Sequence, residues 1–217
     1  YIEDLKNNGH YLGKEISEED DIQKEDDFYT YFCEYEEELR KANALDFGGL
    51  ITAVLQLFDQ HKNLCETYQE RYHYILVDEY QDTNRAQFEL IKLLSEKRRN
   101  ICVVGDEDQS IYSWRGADIR NILDFEKYFP EVEVLKLEQN YRSSKNIIEA
   151  ASCVIARNTM RKGKEMWTEN PEGDSIEILE CGDEKKEAEF ISQKILELSS
   201  DKKEKTPLFE IAVFYRT

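Results

Sequence analysis

Apolar residues first recur with the period of a helix. Residues 14 to 40 are strongly acidic, yet Phe28, Phe32, Tyr35 and Leu39 stand at i, i+4, i+7 and i+11, which predicts one apolar stripe on a charged helix. Phe47, Leu50, Ile51, Val54, Leu57 and Phe58 predict a second, more apolar helix that faces a core. From Tyr74 the pattern changes to short apolar runs alternating with helices. Tyr74-Ile75-Leu76-Val77 reads as a buried strand, and Thr83 or Asn84 can cap a helix whose inner face is Phe88, Ile91 and Leu94. Ile101-Cys102-Val103-Val104 is the next strand, followed by a helix from about Asp118 to Phe125. Val132 to Leu137 alternates like a third strand; Ser143 or Ser144 then caps a helix with Ile147, Ile148, Ala151, Val154 and Ile155 inside. Ile176 to Leu179, a helix with Ala188, Ile191, Ile195 and Leu198 on one side, and Ile211 to Tyr215 complete the series. Strand alternating with helix predicts an α/β fold on a mostly parallel sheet.

In open α/β sheets ligands sit beyond the carboxyl ends of the strands, so the loops that follow each strand hold the candidate chemistry. The first is Asp78-Glu79-Tyr80-Gln81-Asp82-Thr83-Asn84, where an Asp can hold Mg²⁺ and the adjacent Glu can polarise water attacking a γ-phosphate. The second runs from Gly105 to Ala117; Gln109 can sense a phosphate or its water. Tyr112 and Trp114 would share one face of an extended segment beside Arg115, a platform for unpaired bases. The third is Glu138-Gln139-Asn140-Tyr141-Arg142-Ser143-Ser144, in which Arg142 can serve as an arginine finger. Singly, each loop also fits a plainer reading: a solvated cap, two core rings, a surface salt bridge.

Composition narrows these expectations further. With 217 residues, 40% hydrophobic and only three prolines, the chain can bury a core as one domain or two small ones, which excludes intrinsic disorder. The 47 acids against 29 bases, a net charge of -18, argue against nucleic acid, which selects a basic footprint. Residues 1 to 40 alone hold 14 acids and 4 bases, so local patches elsewhere can still be basic. Five widely spaced cysteines without a C-x-x-C pair, and three scattered histidines, predict reduced intracellular thiols and no zinc site. No apolar run approaches a membrane span. The chain starts at Tyr1 rather than Met and stops after a strand-like run, so both ends are expected to be cut.

Taken in order and at their spacing, the three loops resemble motifs II, III and IV of the UvrD/PcrA/Rep-type superfamily 1 DNA helicases. The resemblance extends to Asn170-Pro171-Glu172-Gly173 and to Ile211 through Thr217, and covers most of the chain after Ala44. It implies that Asp78 is the magnesium aspartate, Glu79 the catalytic base, and Gln109 the link between γ-phosphate and DNA. It further implies that Tyr112 and Trp114 stack on single-stranded bases with Arg115 beside them, that Tyr141 stacks on adenine, and that Arg142 reaches the γ-phosphate. The implied fold is a P-loop NTPase-like (RecA-like) motor core, incomplete, with an N-terminal helical segment. Its expected parts are the end of an inserted helical arm (1–58), the second half of a first motor domain (59–137) and the start of a second (138–217).

Two departures bear on that expectation. The phosphate loop G-x-x-x-x-G-K-[ST] is missing, since Gly13-Lys14 and Gly163-Lys164 are each followed by Glu. This predicts that the chain by itself does not hydrolyse ATP. After Phe47, where the family usually carries an acidic pair, stand Gly48 and Gly49. With these departures, the resemblance implies part of a bacterial, cytoplasmic, nucleoid-associated helicase. It would use ATP and Mg²⁺, move 3′ to 5′ on single-stranded DNA and at single-strand/double-strand junctions, and work beside repair or replication proteins without a membrane. Two alternatives stay open: a helicase–nuclease subunit of the same superfamily, and a non-catalytic interaction module.

Overall fold

The computed structural model describes residues 1–14, 27–201 and 205–215. Residues 15–26 of the acidic stretch 14–40 expected to be helical, and the last two residues of the Ile211–Thr217 run, lie outside them.

The N-terminal part is helical. Helix α1 (Ile2–Asn7) lies against α3 (Phe47–Gln60) and α5 (Arg85–Ser95), while α2 (Asp27–Lys41) and α4 (Lys62–Arg71) complete the layer. Phe32 of the acidic stripe is fully buried. Lys6 is buried as well, its ammonium paired with Glu36 and donating to Asp46 at 2.7 Å, so one cation ties α1, α2 and the cap of α3 together. Burial alone would lower the Lys6 pKa, but its hydrogen bonds to Asp46 and Glu36 outweigh that and hold it above the ordinary value. Gly48 and Gly49 acquire a reason here: a Cβ at Gly48 would stand 2.9 Å from the Lys6 Cβ, and one at Gly49 2.8 Å from Asp46 Oδ1.

Helix α3 turns inward only part of the apolar stripe its spacing predicts, with Phe58 buried and Ile51 packed against a core of Tyr11, Leu55 and Ala86. Thr52, Leu55 and Phe58 are buried, whereas Phe47 is 92% exposed and Leu50 and Leu57 are also in solvent. The first turn is fixed at its cap, where Asp46 accepts from the Gly49 N–H at 2.7 Å while bound to Lys6.

Strands β1 (Ile75–Val77) and β2 (Ile101–Val103) form a two-stranded parallel sheet with Ile75 opposite Ile101 and Val77 opposite Val103. Between them runs α5, begun by a capping box in which Asn84 and Gln87 exchange bonds of 2.9 and 3.0 Å. Tyr80, Phe88, Phe125 and Phe129 form the core beneath the strands, with Tyr80 edge-on to Phe125 at 5.5 Å. In place of one helix from Asp118 to Phe125 come two short ones, α6 (Arg120–Leu123) and α7 (Phe125–Tyr128).

The second part carries α8 (Lys145–Ile155), which buries Ile148, and α9 (Glu184–Ser200), where Ile191 and Ile195 are half-buried. The strands expected at 132–137, 176–179 and 211–215 do not form. Alternation supplies a face to bury, but a strand also needs a neighbour for its N–H and C=O groups. Leu135, Leu137, Ile178 and Phe214 are instead exposed, and the ladder here is a single parallel bridge between Gln139 and Trp167. The described chain is therefore helix-rich with one small parallel sheet, smaller than the mostly parallel α/β sheet its pattern predicts and consistent with an incomplete core. No helix among the described residues is long and apolar enough to cross a membrane.

Candidate functional site

Both strands end at the same edge, and the loops that leave them are bound to each other. After Val77 the chain enters Asp78, whose Oδ1 accepts the Glu79 N–H at 2.9 Å. Glu79 then adopts the left-handed conformation, with φ 49° and ψ 43°. Such a backbone costs a non-glycine residue on the order of 1–3 kcal/mol and persists only where its surroundings over-determine it. Here they do: the Glu79 carbonyl accepts from Asp82 N at 3.0 Å and its carboxylate from Gln81 Nε2 at 2.8 Å. Asp78 and Glu79 are both exposed at this edge.

Gln81 joins the first loop to the second. It is 1% exposed. Its Oε1 accepts the Asp106 N–H at 3.0 Å while its amide holds Glu79, so one side chain spans the ends of β1 and β2. Gly105 is what lets it in, because a Cβ there would lie 2.7 Å from Gln81 Oε1 and 2.9 Å from Ile122 Cδ1. The Tyr80 N–H donates to the Val104 carbonyl at 3.0 Å and reinforces the join. Burial, then the neighbouring Glu79 charge, pushes the Asp82 carboxyl above its ordinary pKa.

In the second loop Gln109 is exposed and its amide donates to Asp106 Oδ2 at 2.7 Å. Burial would raise the Asp106 carboxyl, but hydrogen bonds from Lys164 and then Gln109 outweigh it and hold it below the ordinary carboxylate range. The aromatic segment is not extended as the spacing predicts; Ser113–Arg115 forms one 3-10 turn. The two rings still meet, centroids 6.4 Å apart, because the Arg115 guanidinium lies 5.1 Å from the Tyr112 ring and 4.6 Å from the Trp114 ring. Trp114 is 73% exposed and takes no part in the core. Asn7 supports the turn from behind, donating to the Arg115 carbonyl at 3.2 Å and accepting from Asn84 Nδ2 at 2.8 Å.

The third loop is shaped by Asn140, whose Oδ1 accepts the N–H groups of Arg142 and Ser143 at 2.9 and 2.8 Å. Tyr141 is exposed, with its hydroxyl donating to Gln139 at 2.7 Å, and Arg142 is exposed. Among the described residues no hydrogen bond or ion pair joins Tyr141 or Arg142 to Asp78 or Glu79. A cavity of about 440 Å³ bordered by Tyr11, Leu55, Phe58 and Gln69 lies away from these loops.

Gln81, Asp106 and Asn7 were not among the expected site residues. A buried amide that bonds in two directions has no sequence signature beyond its place two residues after Glu79. Among the described residues no three His, Cys, Asp or Glu side chains converge into a metal cage. An exposed Asp78 nevertheless fits Mg²⁺, which binds through one or two carboxylates and substrate phosphates and otherwise keeps its waters.

Comparison with known proteins matches residues 1–130 to the UvrD/REP helicase N-terminal domain and residues 135–217 to the UvrD-like helicase C-terminal domain. The chain is 47% identical over 212 residues to the ATP-dependent DNA helicase PcrA of Staphylococcus epidermidis, covering 95% of this chain and 29% of that protein. It is 51% identical over 186 residues to the PcrA of Bacillus subtilis, covering 86% of this chain and 25% of that protein. The Staphylococcus aureus PcrA is 46% identical over 212 residues. The chain thus spans between a quarter and three-tenths of the length of these relatives.

Proposed function

Because the chain belongs to the UvrD/REP helicase family, we propose that it is the middle of an ATP-driven DNA translocase and helicase. This enzyme moves 3′ to 5′ on single-stranded DNA and opens single-strand/double-strand junctions in the bacterial cytoplasm, on nucleoid DNA, in repair or replication. The two parallel strands belong to a RecA-like, P-loop NTPase-like core. Residues 1–58 are the end of an inserted arm, 59–137 the second half of the first motor domain and 138–217 the start of the second, with α3 straddling the first boundary.

The observation that carries this reading is the join made by Gln81. It locks Glu79, in a strained backbone, to the loop that carries Gln109 and the aromatic turn, so a nucleotide edge and a base-stacking platform share one rigid support. Asp78 would hold Mg²⁺, which when bound neutralises charge on the transferring phosphoryl group. Glu79 takes the proton of the attacking water, and Gln109 reads the γ-phosphate. Arg142 reaches the same phosphate from the second part, and Tyr141 stacks on adenine. Tyr112, Trp114 and Arg115 hold the single strand.

Glu79→Gln in the complete helicase tests the assignment. A base that acts on the attacking water contributes in the transition state, so ATP affinity should stay within about twofold while turnover falls by about a hundredfold or more. Retention of more than about a tenth of the rate would remove Glu79 from that role.

A further inference from the structure

The stretch after α8 reaches back to the loop after β2 and meets its acids with cations. Arg161 pairs with Asp108 at 2.9 Å, the Asp108 side chain being only 5% exposed. The Lys162 N–H donates to Glu107 at 3.1 Å and its ammonium to Glu126 at 2.7 Å. Asn158 adds a bond of 3.4 Å to Asp108, and Lys164 pairs with Asp106. These contacts join the part that matches the N-terminal family domain to the part that matches the C-terminal one.

Asp106 is where the join touches the candidate chemistry. Its Oδ1 receives Lys164 and the Asp108 N–H at 3.0 Å, while its Oδ2 receives the Gln109 amide at 2.7 Å. A half-buried carboxylate without its cation turns toward water rather than stay desolvated. Lys164 therefore fixes the orientation in which Asp106 presents its second oxygen to Gln109. The Asp108 N–H is a second tether, but it is neutral and comes from the same turn, so it does not register where the later segment stands.

We propose that Lys164 is a positioning residue for Gln109, acting through Asp106, so that displacement of the segment after residue 135 relates directly to where the Gln109 amide rests. The consequence for catalysis rests on the reading of Gln109 as the residue that senses the γ-phosphate. Arg161 and Lys162 anchor the loop, and Lys164 carries the relay.

Two measurements test it. In the 217-residue chain, ¹⁵N NMR of the Gln109 side-chain amide, assigned by its loss in Gln109→Leu, is compared in wild type, Lys164→Met, Lys164→Gln and Lys164→Arg. The amide should move to the position and exchange rate of a free glutamine in the two neutral variants and return in Lys164→Arg. An unmoved amide in either folded neutral variant overturns the proposal. In the complete helicase, Lys164→Met should lower DNA-stimulated kcat by about tenfold with the KM for ATP within about twofold, since misplacing a group at a distance affects the reacting geometry more than binding. Lys164→Arg should keep at least about half of the rate. A kcat unchanged in Lys164→Met overturns the relay. A wild-type protein without DNA-stimulated turnover would overturn the helicase reading instead, and the NMR measurement would still decide whether Lys164 places Gln109.

Discussion

Removing the Trp114 ring separates a DNA platform from a packing role, because the structure fixes what each would cost. With 73% of Trp114 in solvent, only about a quarter of its surface is covered. Of the roughly 250 Å² a tryptophan can bury, about 60 Å² is lost on truncation to alanine, or about 1.5 kcal/mol at 25 cal/mol per Å². The contact with Arg115, 4.6 Å from the ring, adds about 0.5 kcal/mol at an exposed site. Trp114→Ala should therefore cost the fold about 2 kcal/mol, below the roughly 3–5 kcal/mol of a buried tryptophan. If a base stacks on the ring, the same change should weaken single-strand binding by about 1–3 kcal/mol, or about five- to 150-fold in Kd.

The assay is fluorescence anisotropy of a labelled oligothymidine with the complete helicase across a salt series, beside thermal melting of the same variant. Stacking releases no counterions, so log K should fall by a constant amount while its slope against log salt stays unchanged. Trp114→Phe, which keeps a ring, should recover most of the affinity. A folded Trp114→Ala protein that binds within about twofold of wild type would refute the platform, and Tyr112 would lose its role with it.

Two further outcomes are expected. The 217-residue chain alone should show no ATP turnover with or without single-stranded DNA, because the glycine loop and lysine that cradle the triphosphate are missing from its sequence; steady-state turnover above the blank would contradict this. Gly48→Ala should lower the melting temperature of the chain by a few degrees, about 1 kcal/mol, although alanine is the better helix former. Its Cβ meets the unyielding base of the buried Lys6 side chain at 2.9 Å; a raised melting temperature would show that Lys6 does not require the gap.

What was legible in the sequence was what short stretches decide by themselves. The runs 75–77 and 101–103 form strands because each supplies the other's hydrogen-bond partners in register. Asn84 caps α5 because its own Gln87 completes the box, and Phe88 follows onto the core face. Val132 to Leu137 has an equally good alternation, yet without a paired neighbour it stays irregular. The candidate residues Asp78, Glu79 and Gln109 stand on the shared strand edge, as their position after apolar runs predicts. The side chains that touch them are near in the chain, Gln81 two positions from Glu79 and Asp106 three from Gln109, but the links between the loops are distant: Gln81 accepts the Asp106 N–H from 25 positions away and Lys164 pairs with Asp106 from 58. Gly163-Lys164 attracts notice in sequence only as a failed phosphate loop, since ion pairing across so long a separation leaves no local pattern.

The acidic balance also acquires a physical meaning. Among the described residues several cations are held in ion pairs: Lys6 to Glu36 and Asp46, Arg99 to Glu131, Arg98 to Glu70, and Arg161 and Lys164 to Asp108 and Asp106. Lys6, Arg161 and Lys164, whose side chains are mostly buried, cannot turn to a phosphate without breaking contacts that hold the fold or the join between its parts. Arg115 is employed differently, its guanidinium over the Tyr112 and Trp114 rings rather than spent on an ion pair in this turn. In the platform proposed above, the ring faces of Tyr112 and Trp114 and the Arg115 guanidinium would therefore carry the single strand. A chain with net charge -18 can carry a DNA site on those terms, because stacking needs an exposed ring and a firm backing rather than a basic field. Asn7, bonded to both Asn84 and the Arg115 carbonyl, supplies that backing from helix α1.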